Sequence, residues 1–228
     1  MDKLQAVVRN YDNTLAEVSE LSKGEATLVL ASKTVEQEVL HGLAAGRPGV
    51  ILGENRVQEL LSKYFTCEGL TWHFIGRLQT NKVKYIVDKV SLIQSVDSLR
   101  LAEEIEKRSA KIGKRMDILL EVNVGGEESK GGVSEAEFLP LLEEIKKMPH
   151  LRLKGIMSVL PAAEEGVLAP LYDKLKALFE QAKSIKGDNF DIRYLSAGMS
   201  GDYRFALLHG SNMVRIGSAV FGARHYAQ

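Results

Sequence analysis

Short apolar runs rich in β-branched residues recur eight times along this chain, and longer segments with helical spacing lie between them. The runs are 27–32 (TLVLAS), 49–53 (GVILG), 71–76 (TWHFIG), 90–96 (VSLIQSV), 117–124 (DILLEVNV), 151–159 (LRLKGIMSV), 192–197 (IRYLSA) and 213–218 (MVRIGS). Most lack apolar–polar alternation, as expected for strands covered on both faces. Helical spacing is clearest in 35–45, 55–65, 99–112, 135–148 and 168–185. Within 99–112, Leu99, Ala102, Ile105 and Ser109 follow one stripe, with Glu103, Glu104, Lys107 and Arg108 on the other side. Ser98 and Ser134 occupy cap positions. Ser134 with Glu137 makes a capping box, and Gly113 reads as a left-handed terminator.

Strand–helix alternation implies parallel βαβ units, and eight of them predict an α/β chain folded as a (β/α)₈ TIM barrel. An open, doubly wound sheet is the alternative, because counting strands does not establish closure. Residues 2–22 read as an additional amphipathic helix before the first strand. No linker-like stretch, low-complexity tract or internal repeat interrupts the pattern, so 1–228 reads as a single domain.

Composition excludes several functions. Thirty Lys+Arg balance thirty Asp+Glu, which argues against a protein that coats nucleic acid or an anionic membrane. No apolar run approaches the roughly 20 residues that span a bilayer. One cysteine, Cys67, allows no intramolecular disulfide, and the first fifteen residues lack the pattern of a secretory signal. A cytoplasmic location is the expectation. No heptad seam suggests self-association, so the chain is expected to be a monomer.

In a barrel of this kind, chemistry sits where strands end and helices begin. Lys33 follows the first run. Partial desolvation lowers the pKa of such an amine, and the neutral amine attacks an aldehyde to form a Schiff base; the competing reading is a solvated loop lysine. The seventh and eighth run ends carry SAGMSGD (196–202) and RIGS (215–218). Loops at those positions form the recurrent phosphate site of the fold, although glycine there also serves backbone geometry alone. Arg215 pairs with an anion, donates to a ring nitrogen, or forms a salt bridge in the barrel mouth. His73 is an acid or base, or a satisfied core residue facing away from Trp72 and Phe74. Asn55 offers both donor and acceptor, Met157 reads as core or pocket wall, and Cys67 is a weak nucleophile candidate. Neither a P-loop nor a Rossmann glycine pattern is present, and no Cys/His cluster has zinc spacing.

LVLASKT, GENRVQELLSKY, WHFIGRLQTNKVKYI, IQSVDSLRLAEEI, LLEVNVGGEESKGG, LSAGMSGDY and NMVRIGSAVFGAR, spread over 28–226, resemble the pyridoxal phosphate homeostasis proteins, also known as the proline synthetase co-transcribed homologues. The resemblance implies a barrel like the amino-terminal domain of alanine racemase (PLP fold type III), with pyridoxal 5′-phosphate as an internal aldimine on Lys33. It puts the phosphate on Ser200, Gly201, Gly217 and Ser218, and Arg215 opposite the pyridine nitrogen. Asn55, His73 and Met157 then line the pocket. Three departures stand out: Val35 replaces a common second lysine, Arg77 replaces a common histidine, and the segment before GEN is longer. The implied function is to hold the cofactor, limit the free aldehyde and pass it to PLP-dependent apoenzymes, without established turnover. Two alternatives remain. A small PLP-dependent amino-acid racemase would need a second base, such as His73 or a tyrosine. A phosphometabolite-binding barrel without any Schiff base would keep its ligand affinity in Lys33→Ala.

Overall fold

The computed structural model describes residues 3–127 and 129–222. Eight strands pair in parallel in chain order, and the eighth pairs with the first. They are β1 (Thr27–Ala31), β2 (Ile51–Glu54), β3 (Thr71–Phe74), β4 (Leu92–Val96), β5 (Met116–Glu121), β6 (Leu151–Met157), β7 (Phe190–Ser196) and β8 (Met213–Ile216). Closure rests on the pairs Thr27↔Met213, Leu28↔Val214, Val29↔Arg215 and Leu30↔Ile216. The open-sheet alternative is thereby excluded.

Helices α1 (Lys3–Leu21), α2 (Gln37–Ala44), α3 (Val57–Lys63), α4 (Leu99–Lys111), α5 (Glu135–Ile145), α6 (Glu165–Ser184), α7 (Tyr203–Leu208) and α8 (Ser218–Phe221) surround the sheet. The expected extra N-terminal helix is α1; position 2 of that expectation lies outside the described residues. The third crossover differs from the rest. A 3₁₀ turn, Thr80–Tyr85, stands where a helix belongs. The stripe on α4 is also displaced: Leu99 is exposed, and Leu101 joins Ala102, Ile105 and Ser109 against the core. Ser98 caps α4, Ser134 and Glu137 form the capping box of α5, and Gly113 has φ +64°.

Alternation along the strands separates two apolar layers. Val29, Ile75, Leu92, Leu119, Met157 and Met213 fill the barrel interior. Their outward neighbours, among them Leu30, Leu52, Phe74, Ile93, Ile118 and Ile216, pack under the helices. Each such side chain, fully buried, contributes roughly 1.5–3 kcal/mol.

Helix α1 buries Val7, Tyr11, Thr14 and Val18, one face at helical spacing, and packs on α2, α7 and α8. Asn10 donates to the Val220 carbonyl (3.1 Å), and Glu17 accepts from the Tyr203 hydroxyl (2.8 Å) and from Arg204. The added helix thus braces the two elements that follow β7 and β8.

Candidate functional site

Lys33 leaves the C-terminal end of β1 in phase with the inward residues Val29 and Ala31. It is half-buried, and its ammonium meets no hydrogen-bond or ion-pair partner among the described residues. It lines a cavity of about 550 Å³ together with Ala31, Thr34, Val35, Gly217 and Phe221. That volume suits a cofactor-sized ligand.

Two short turns meet beside this cavity. After β7, Gly198 takes φ +97°, and a Cβ there would stand 2.6 Å from the Ala206 Cβ, so only glycine lets the turn pack on α7. Asp202 fixes the turn by accepting from the Met199 N–H (2.7 Å) and the Tyr172 hydroxyl (2.8 Å). After β8, the Gly217 N–H donates to Ser200 Oγ (3.1 Å), which joins the two turns. The backbone N–H groups of Ser200, Gly201, Ser218 and Ala219 meet no acceptor among the described residues. Four free donors in adjoining turns form a cradle for an anion. A side chain at Gly201 would meet nothing, so packing does not explain that glycine.

Below the cradle runs a buried polar chain. Arg215 donates from Nη1 to Ser196 Oγ (2.6 Å) and from Nη2 to the Ser158 carbonyl (2.8 Å). Ser196 donates to Gln94 Oε1 (2.8 Å), and Gln94 Nε2 meets His73 Nδ1 at 3.0 Å. With the amide nitrogen donating, the ring proton of His73 lies on Nε2. Burial holds the His73 pKa down at about 3, so the ring is neutral at physiological pH. Burial also lowers the Arg215 pKa, opposed chiefly by Glu121. No carboxylate pairs with Arg215 directly among the described residues.

Glu121 ends β5 on the inward face, two residues beyond Leu119, and pairs in register with Met157, which pairs with Ser196. Its side chain is buried. The β5–α5 loop folds over it: Val133 donates to the Glu121 carbonyl (2.9 Å), and a Cβ at Gly131 would lie 3.0 Å from Glu121 Oε1. Burial first, then Asp97, push its pKa up to about 7, while Arg215 and Arg77 oppose.

These features fit a ligand with an aldehyde and a phosphate: a partnerless amine, a nest of free N–H groups and a fixed guanidinium around one mouth. The sequence matches the family described as alanine racemase, N-terminal domain, over residues 2–225. The chain belongs to that family. It is 44% identical to the pyridoxal phosphate homeostasis protein of Aquifex aeolicus (strain VF5) over 209 residues, which cover 88% of each chain. The structure of PipY from Synechococcus elongatus PCC7942, with PLP bound, superposes with a TM-score of 0.82 at 25% identity, covering 95% of this chain and all of that one. The fold is also that of alanine racemase from Corynebacterium glutamicum, with a TM-score of 0.74 at 15% identity over 98% of this chain and 62% of that one.

Membership in this racemase-domain family leaves each candidate residue to be placed by this chain's own geometry. Lys33, Gly217 and Ser200 come together, and Ser218 and Gly201 present their N–H groups beside them. Arg215 is not the salt bridge that its surroundings allowed; its acceptors are Ser196 and Ser158. His73 is buried, gives Nδ1 to Gln94 and is a neutral ring, not a charged acid. Met157, 1% exposed, belongs to the interior floor. Asn55 lines a different cavity of about 700 Å³ with Arg56, Arg77, Lys82 and Arg100. Cys67 is a free, half-buried thiol. Sequence reasoning missed Gln94, Glu121 and Ser196. Each is a polar residue at an inward position of an otherwise apolar run, and that parity was the available signal.

Proposed function

We propose that this chain binds pyridoxal 5′-phosphate through a Schiff base to Lys33 and serves cofactor homeostasis, buffering the free aldehyde or delivering it to apoenzymes. Lys33 would hold the cofactor by its amine, which would take the aldehyde carbon with loss of water. The observation that carries this reading is one cavity that joins a partnerless, half-buried lysine to Gly217 of the paired turns. In the bound state the cofactor supplies an electron-withdrawing ring. The chain's own groups do the rest. The Ser200, Gly201 and Ser218 N–H groups would hold the phosphate by hydrogen bonds, and Met157 closes the floor of the mouth. Arg215, fixed by Ser196 and the Ser158 carbonyl, is a donor and not an acceptor, so a pyridine nitrogen held against it would be left unprotonated. The comparison with PipY and the name of the Aquifex relative support the same reading. On this reading the protein is a monomeric, cytoplasmic carrier and not an enzyme. No helix of the described residues is long and apolar enough to cross a membrane.

One observation favours a second reading. Glu121 is a buried carboxyl on the inward face with a raised pKa, a property useful in a small amino-acid racemase. Spectral titration with pyridoxal phosphate tests the first reading: the parent develops an imine band and Lys33→Ala does not. Loss of the α-proton of alanine into heavy water at enzymatic turnover would establish the second.

A further inference from the structure

A buried ionic lattice lies on the outer side of the same rim, behind Lys33. Glu54, the last residue of β2, is fully buried and points outward toward α3. Its Oε1 accepts from Ser32 Oγ (2.7 Å) and Lys63 Nζ (3.1 Å). Lys63 also donates to the Ser32 carbonyl (3.0 Å) and to Glu59 Oε1 (2.6 Å), and the same Glu59 oxygen accepts from the Thr34 N–H. Ser32 and Thr34 flank Lys33. The lattice therefore grips the backbone on both sides of the lysine and leaves its side chain untouched.

Two further facts separate this arrangement from ordinary stabilisation. Buried ion pairs contribute little net stability compared with apolar packing, so stability alone does not account for four polar groups here. Thr34 is a β-branched residue at φ +65°, a strained conformation that surrounding contacts must hold. Glu59 provides that contact, as an acceptor for the N–H of the strained residue.

We propose that Glu59 and Lys63 are positioning residues, which fix the β1–α2 turn so that the Lys33 amine points into the barrel mouth. The proposal rests on Lys33 being the reacting amine of the function above, and its test separates the two. The measurement is trace acylation with acetic anhydride, mapped by mass spectrometry, with Lys33 scored against the surface lysine Lys84 in the same sample. Adduct formation with pyridoxal phosphate is followed in parallel, and thermal unfolding reports the fold. Glu59→Ala removes the acceptor for Thr34. We expect the Lys33/Lys84 acylation ratio to change severalfold and the rate of adduct formation to fall roughly ten- to a hundredfold. Glu59→Gln retains an acceptor oxygen and restores both toward the parent. Lys63→Met acts in the same direction as Glu59→Ala; if it fails to fold, the Glu59 pair decides alone.

Parent-like acylation and adduct rates in Glu59→Ala, whatever its melting temperature, overturn the proposal. Equal losses in Glu59→Ala and Glu59→Gln also overturn it, because charge and not the held turn would then be responsible. If acylation responds as expected but the parent forms no adduct, the cofactor reading fails while the positioning role stands.

Discussion

Lys33 and Lys63 stand on opposite faces of one rim and have opposite surroundings. Lys63, on the outer face, gives its ammonium to the Ser32 carbonyl, Glu54 and Glu59. Lys33, on the inner face, gives its ammonium to no group among the described residues. A lysine whose ammonium donates to two carboxylates and a carbonyl is tethered in place and has no free reach toward a ligand. A lysine with no partner keeps its amine available. The same residue type is tethered on one face and free on the other, and burial alone does not tell the two apart by role, since Lys63 is the more buried.

The largest contrast follows from removing each lysine. Lys33→Ala abolishes covalent adduct formation while stability changes by no more than about 0.5 kcal/mol. Lys63→Met leaves the Glu54 carboxylate buried without its cation and lowers stability by about 3–5 kcal/mol, measured by urea unfolding. A double replacement, Glu54→Leu with Lys63→Met, recovers most of that loss. If Lys33→Ala unfolds as readily as Lys63→Met, the distinction between the two faces collapses.

Glu121, on the inner face, makes that face sensitive to pH. Its folded pKa of about 7 lies above its ordinary value of 4.5. The folded chain therefore holds a proton that the unfolded chain has released, and the associated stability is present below pH 4.5 and lost as pH rises through 7. That loss is on the order of 3 kcal/mol, and Glu121→Gln flattens it. Denaturant midpoints at pH 4.5, 6 and 8 measure it; an unchanged pH profile in the variant removes Glu121 from the account.

The smallest effect belongs to a residue outside both faces. Ser98 accepts from the Leu101 N–H at the start of α4. Ser98→Ala costs about 1 kcal/mol and leaves the rate of adduct formation at the parent value.

Much of the barrel was legible in the sequence because both-face burial writes uninterrupted apolar runs. The eight runs overlap the eight strands. The third crossover was not legible as a 3₁₀ turn, since QTNKVKY carries no helical stripe and tertiary packing decides its form. Leu99 shows the matching limit on a helix, where its place in the first turn leaves it in solvent and Leu101 takes the buried position. At the candidate site, the positions of Lys33 and of the small residues of GMSGD and RIGS at strand ends were legible because the runs that precede them mark those ends. Glu121 and Gln94 were hidden inside runs read as hydrophobic. The Glu54–Lys63–Glu59 lattice was illegible because its members come from β2 and α3 and meet Ser32 and Thr34 only after the barrel closes.

On the proposed function, the partnerless lysine on the inner face is the amine that takes the cofactor. The direct test is borohydride reduction of the protein mixed with pyridoxal phosphate, followed by mass mapping of every modified lysine. We expect a visible absorbance band that disappears on reduction and a phosphopyridoxyl group on Lys33, with Lys63 unmodified. Absence of a band, or modification spread over surface lysines with Lys33 spared, would contradict it and leave a barrel that binds phosphate without covalent chemistry.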